Sequence, residues 1–234
     1  MGTKGEQFIV TYYGLDGACA AAAALVRYPE AKVVTTSARR IGETLQEISL
    51  TDAGEVHVCG VGVDCDWSAV EQACAAITNR GGAIYWHCGR GYLEKHRGQF
   101  AAFCTPVFIE AETNTGALAK HLHLTDDATG GFLSELALFD HNISRGKPQR
   151  KKTAGQADWS DLVSAAISQY FKYQDEDTYR AVVRKLAAQD LGVEDRRAVE
   201  VFRKTGFKYV LHGRSAAIRT LRERIKKCAR IDRP

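Results

Sequence analysis

The sequence predicts an α/β fold, a parallel Rossmann-like sheet followed by a helical C-terminal part. Three observations predict it. Short β-branched runs alternate with amphipathic or alanine-rich runs as far as Glu110. A glycine turn, Gly14-Leu15-Asp16-Gly17, joins the first strand-like run to a helix. Beyond Asn114 only helical spacing remains. Alternation of this kind implies right-handed βαβ units, whose ligands bind at the carboxyl ends of the strands.

The elements follow in order. Phe8–Val10, with Thr11 and Tyr12, reads as a buried strand that runs into the turn Gly14-Leu15-Asp16-Gly17. Ala18 to Arg27 is alanine-rich and of high helix propensity. Lys32–Thr36 is a second β-branched run. Ile41, Leu45 and Ile48 fall at helical spacing. Val56–Val63 reads as a third strand. Trp67–Thr78 reads as a helix with apolar Trp67, Val70, Cys74 and Ile77, stopped by Asn79-Arg80-Gly81-Gly82. Ala83–Trp86 is a fourth strand and Thr105–Glu110 a fifth. The helical part comprises Gly116–Leu124, Gly131–His141, Trp159–Tyr173, Asp177–Gln189 and Glu194–Lys204, with Gly206 as a stop. Lys147-Pro148-Gln149-Arg150-Lys151-Lys152 reads as an exposed basic break. The expected organisation is an α/β domain over 1–145, a helical extension or linker over 146–205, and a separate C-terminal element over 206–234.

Composition narrows the functional classes. A chain of 234 residues with 45% apolar and 26% charged residues is ordinary for a globular protein. No apolar run approaches the roughly 20 residues that span a bilayer. The start lacks the apolar region of a signal peptide. The 7 cysteines include no CxxC pair and suit a reducing compartment, so a cytoplasmic location is expected. The net charge of +4 is unevenly distributed. From Val201 onward 11 Lys/Arg face 2 acids, whereas the first 200 residues hold 21 against 26. A basic stripe of this kind suits nucleic acid or a solvated helix face.

The residues after each strand carry the candidate site: Gly14–Gly17, Cys59–Asp66 and His87–Arg90. The run Thr11-Tyr12-Tyr13-Gly14-Leu15-Asp16-Gly17-Ala18-Cys19 resembles the first motif of the DHH phosphoesterase family, a strand ending in a His-x-Asp-x-Asp-Gly turn before a small-residue helix. The resemblance covers roughly residues 6–145. It implies a parallel Rossmann-like sheet and phosphodiester hydrolysis by two divalent metals, usually manganese. The donor set that it implies is depleted in this chain. Tyr12 replaces the first histidine and Gly14 an aspartate, while Asp16 is retained. Cys59 and Gly60 stand for the third-strand aspartate, with Asp64 and Asp66 nearby. Trp86-His87-Cys88-Gly89-Arg90 replaces Asp-His-His, and Asp140-His141 matches the later aspartate. The implied metal ligands reduce to Asp16, His87 and Asp140, about half of what a dinuclear centre needs.

A crevice with few metal ligands can still bind an anion. The first helix starts beside Gly14 and Gly17, where free N–H groups favour a phosphate. Arg90, Lys95 and Arg97 supply fixed cations after the fourth strand. The expected ligand-binding residues are Gly14, Asp16, Gly17, Asp64, His87 and Arg90. The expected ligand is a phosphate-containing molecule, a nucleotide or an RNA end, bound without hydrolysis and without a cofactor. The alternative is a manganese-dependent phosphodiesterase or nuclease.

The chain end carries a second pattern, His212-Gly213-Arg214-Ser215 through Ile218, Leu221, Ile225 and Ala229 to Asp232-Arg233-Pro234. Ser215 suits an N-cap, and the four apolar residues share one helix face. This run closely resembles the opening of the AAA+ module of sigma-54-dependent transcription activators, Gly-x-Ser, an amphipathic helix and Asp-x-Pro. In that family a Walker A loop follows, and the sequence stops before it, as a truncated form would. The resemblance implies a signal-sensing region that controls an AAA+ ring. Its partners are then the AAA+ module and sigma-54 RNA polymerase, in a longer oligomeric protein and away from any membrane.

Overall fold

The computed structural model describes residues 5–144, 153–173 and 175–206, the side chains of Arg90 and of residues 139–144, 169–173, 205 and 206 excepted. The chain divides into a unit up to Leu191 and a second from Gly192. In the first unit the strands are β1 (Glu6–Thr11), β2 (Lys32–Thr35), β3 (Ala53–Cys59), β4 (Ala83–His87) and β5 (Thr105–Pro106). They form an all-parallel sheet in the order β2-β1-β3-β4-β5. The chain leaves β1 outward to β2, then crosses back to β3. The reversal opens a crevice above the carboxyl ends of β1 and β3, where sheets of this kind take ligands.

The helices between strands are α1 (Leu15–Arg27), α2 (Ile41–Ser49), α3 (Trp67–Thr78), α4 (Arg90–Lys95) and α5 (Arg97–Ala101). Parallel strands covered on both faces read as continuous apolar runs. β1 accordingly carries Phe8, Ile9 and Val10 buried, and every residue of β3 is buried. Alternate strand residues face opposite ways. Val56, Val58, Ile84 and Trp86 pack with Ile41, Leu45, Val70 and Ile77 of α2 and α3. Glu55, His57, Cys59, Tyr85 and His87 lie on the other face, towards α1.

Helices α6 (Asn114–His121), α7 (Ala128–Ser144), α8 (Ala154–Tyr173) and α9 (Glu176–Ala188) complete the unit by packing on α1. Ala18 and Ala20 to Ala24 are fully buried, and their small side chains let neighbouring helices approach closely. The helical part therefore does not begin as a separate extension at residue 146. Its helices α8 and α9 belong to the same compact unit as the sheet, which runs to Leu191. Arg184 ties α9 to the turn after α1 by donating to the carbonyls of Pro29 and Ala31. In the second unit, α10 (Val193–Val201) leads into a π-helical turn over Phe202–Gly206. The basic break at 147–152 and the AAA+-like segment 212–234 lie outside the described residues.

Some boundaries differ from the sequence reading. β3 starts earlier, at Ala53, and stops at Cys59 because Gly60 adopts φ +72 and turns the chain. β5 ends at Pro106: the Val107 N–H makes a last bond to the Trp86 carbonyl at 2.9 Å, and Ile109 then donates back to the Val107 carbonyl as the chain turns away. Helices α4 and α5, absent from the sequence expectation, occupy the segment after β4.

Candidate binding crevice

Tyr12 occupies the crevice. It follows β1, and its ring lies between two glycines. A Cβ on Gly14 would come within 2.7 Å of the ring, and one on Gly60 within 2.6 Å. A side chain at Gly14 would displace the ring, and Gly60 needs glycine for its positive φ as well. The Tyr12 hydroxyl reaches Oδ2 of Asp16 at 3.3 Å. The Tyr12 carbonyl is packed just as closely, since a Cβ on Gly17 would stand 2.2 Å from it.

Asp16 is buried in the first turn of α1, and its carboxylate faces the start of α6. Oδ2 accepts from Asn114 N at 3.1 Å and Asn114 Nδ2 at 2.8 Å. Oδ1 accepts from Thr115 N at 2.9 Å and lies 2.6 Å from the Thr115 hydroxyl. That hydroxyl also lies 2.9 Å from the backbone carbonyl of Asp16. With Tyr12, the donors at the carboxylate number five. A carboxylate at a helix N-terminus is stabilised by backbone N–H groups and by the helix dipole. The residue that resembles a metal ligand thus anchors α6 on α1. The N-cap of α6 is Thr113, which accepts from Gly116 N at 3.0 Å.

The other expected residues are dispersed. Asp64 is exposed and paired with Arg39 at 3.1 Å, while its amide donates to the Ala38 carbonyl. Asp66 caps α3 by accepting from Ser68 N at 3.0 Å. Arg90 opens α4 and Asp140 lies in α7, both with side chains outside the description. Lys95 is exposed, and the Arg97 guanidinium sits over the Phe108 ring at 4.4 Å. A Cβ on Gly89, Gly91 or Gly98 would meet nothing within 4 Å, so the surface after β4 is open.

His87 ends β4 fully buried and points along the sheet face, into a polar cluster that no local motif announces. Its Nε2 lies 3.3 Å from His57 Nδ1. His57 Nε2 lies 3.0 Å from Glu55 Oε1, and Tyr28 donates to the same oxygen at 3.0 Å. His121 of α6 packs edge-on against His87, with ring centroids 5.0 Å apart. The hydrogen bond from His57 holds the Glu55 carboxyl below its usual value, against the effect of burial. An ionised Glu55 draws a proton onto His57 Nε2, which leaves His57 Nδ1 to accept from His87 Nε2–H. His87 Nδ1 then has no hydrogen-bond partner among the described residues. Burial pushes the His87 imidazole well below its usual value, and His57 and His121 push it further down. Burial and then Glu55 push the Tyr28 hydroxyl up to about 12. Period-2 alternation of Glu55, His57 and Cys59 in a strand was the one available signal for this cluster.

The described side chains do not fit a manganese pair. N–H and O–H donors already fill the Asp16 carboxylate, and the His87 ring is turned into the sheet face. Among the described residues no three His, Cys, Asp or Glu side chains converge on a common point for a cation.

No protein-family model matches the chain, and no curated protein matches it. Among solved structures it is similar to an uncharacterized protein from Helicobacter pylori G27, at 12% identity and a TM-score of 0.54, over 84% of this chain and 61% of that one. It also overlaps RecJ in complex with Mn2+ from Thermus thermophilus, at 13% identity and a TM-score of 0.43, over 93% of this chain and 37% of that one. The chain therefore spans less than two thirds of either structure's length. At such identity the likeness to the Helicobacter protein is one of architecture, and the architecture is α/β with an all-parallel, five-stranded sheet.

Proposed function

We propose that this chain is a recognition domain that binds a phosphate-containing ligand, a nucleotide or an RNA end, at the carboxyl edge of its sheet without hydrolysing it. The observation that carries this reading is the Asp16 carboxylate, whose oxygens are held by Tyr12, Asn114 and Thr115. A carboxylate engaged in that way anchors a helix and is not available to a pair of hard cations. The open glycine-bearing surface after β4, with Arg90, Lys95 and Arg97 in the same segment, supports an anion as the ligand. The resemblance to the DHH phosphoesterases supports descent from a phosphate-handling plan. The resemblance of residues 212–234 to the opening of a sigma-54-type AAA+ module supports a sensory role upstream of that motor.

Titration calorimetry with inorganic phosphate, cyclic and linear dinucleotides and a 5′-phosphorylated oligonucleotide tests the reading. Binding of at least one, weakened tenfold or more by Arg90→Ala or Arg97→Ala, is the expected result, since a lost charged hydrogen bond is worth roughly 1.5–3 kcal/mol. No heat from any of them, with no difference between wild type and variants, removes the proposal. Manganese-dependent cleavage of a generic phosphodiester, lost in Asp16→Asn, decides for the enzyme instead.

A further inference from the structure

The loop that fills the crevice is also the loop that α9 grips. Tyr179 of α9 is fully buried and donates its hydroxyl to the carbonyl of Tyr12 at 3.2 Å. Its ring meets the ring of Tyr13 edge-on, with centroids 5.1 Å apart. Tyr13 in turn is hydrogen-bonded through its hydroxyl to Thr35 at the end of β2. The Tyr12 carbonyl is thus held from one side by α9 and from the other by close packing on Gly17 of α1. The Tyr12 side chain meanwhile reaches into the crevice, against Gly14, Gly60 and Asp16. One residue therefore has its ring at the sheet edge and its peptide under a helix 167 positions away in the chain.

We propose that Tyr12 and Tyr179 form a mechanical link by which occupancy of the crevice is read by helix α9. Anything that moves the Tyr12 ring out of its seat between Gly14 and Gly60 must rotate χ1 or shift the Tyr12–Tyr13 peptide. Gly14 and Gly60 flank the ring closely on both sides, which limits the first motion. The shift therefore falls on the peptide, on its hydrogen bond to Tyr179 and on the contact of Tyr179 with Tyr13. A buried O–H that loses its acceptor is costly even while the Gly14 backbone still reaches the same oxygen, so α9 loosens or moves. α9 is followed closely by the next unit in the chain. It ends at Ala188 and is capped by Gln189, which adopts φ +52, and the second unit begins at Gly192. Tyr179 acts here as a positioning residue. The coupling deepens the recognition reading, and rests on it for what moves Tyr12, but it is testable without any ligand. Its failure would thus leave the phosphate-binding proposal standing.

Hydrogen exchange on the full chain, read by mass spectrometry, provides the test. Gly14→Ala places a Cβ 2.7 Å from the Tyr12 ring in an extended backbone that alanine tolerates, so the ring is displaced without altering Tyr12 itself. The expected result is exchange over Glu176–Ala188 faster by roughly three- to tenfold, the equivalent of one buried hydrogen bond, with Ile41–Ser49 on the opposite face unchanged. Tyr179→Phe should give the same increase in α9, and the double variant should add little, because both break one link. Unchanged exchange in α9, or an equal rise in α2 and α9, overturns the proposal. If Gly14→Ala does not fold, Tyr12→Ala and Tyr179→Phe form the same cycle, and strict additivity between them overturns it equally.

Discussion

Asp16 and Thr115 stand 99 positions apart in the chain, yet share three short contacts, one from the Thr115 amide and two from its hydroxyl. Through them the first turn of α1 and the first turn of α6 become one hydrogen-bonded unit. Removing the carboxylate leaves the buried donors of Thr115 and the half-buried donors of Asn114 without their acceptor. Asp16→Ala should therefore cost about 3 kcal/mol, and Thr115→Val about 1–2 kcal/mol, in urea denaturation. A change of less than about 0.5 kcal/mol for Asp16→Ala, the range of an ordinary surface substitution, would contradict the anchoring role.

Gly17 sets a second expectation. A Cβ there would lie 2.2 Å from the Tyr12 carbonyl and 3.0 Å from the Thr11 hydroxyl oxygen. Backbone atoms cannot swing aside, so Gly17→Ala should destabilise by about 3 kcal/mol, the upper end of ordinary overpacking. Gly91→Ala, where a Cβ meets nothing within 4 Å, is the matched control and should be neutral or slightly stabilising.

Much of the sheet was legible because each signal was local. Ile41, Leu45 and Ile48 at helical spacing predict a helix, and α2 runs Ile41–Ser49. Strand β1 and the alanine-rich α1 follow in the same way from Phe8–Val10 and Ala18–Ala24. The last strand reads too long because Val107 to Ile109 are apolar, while the chain turns off the sheet once the Val107 N–H has donated to the Trp86 carbonyl, Ile109 donating back to Val107. Asp16 is legible as a chemical residue, but its partners are not. Nothing near Thr113-Asn114-Thr115 in the chain names an aspartate 98 positions away as their acceptor. The reading of Thr113 as an N-cap would at least have moved the start of α6 to Asn114. Glu55, His57 and His121 escaped for the same reason, since only the pairing of β3 with β4 and the packing of α6 bring them to His87.

That histidine cluster gives stability a defined pH dependence. Burial holds His87 well below the ordinary imidazole value of 6.5, and burial shifts His121 the same way, with His57 and His123 adding to it. In the unfolded chain both take up a proton near pH 6.5, so the unfolded state binds more protons as pH falls. The contribution is whole above about pH 6.5 and is lost as pH falls through the depressed native values. The denaturation midpoint should drop between about pH 6.5 and 5, and His87→Gln should flatten that fall. Glu55, with its carboxyl lowered from 4.5, adds a separate loss only at more acidic pH. A midpoint flat from about pH 7 to 5 would contradict the arrangement.

The cysteines yield a chemical expectation. Burial raises the thiols of Cys59 and Cys74, and pushes Cys104 up to about 12. Thiolates are the reactive form, so these three should resist iodoacetamide at about pH 8 in native buffer and react on denaturation. Peptide mapping after a timed pulse reads the outcome, and fast native labelling of Cys59 would contradict its placement.

The shortness of β5 has a consequence for how copies of the protein meet. A sheet margin with free backbone groups invites a neighbouring chain to extend the ladder. Here that margin is blunted, since Pro106 contributes only an acceptor and the strand lasts two residues. On the far side, β2 is four residues long and its Lys32 is paired with Glu6. Concentrated solutions should accordingly resist edge-to-edge polymerisation, and any self-association should use helical surfaces rather than a growing ribbon.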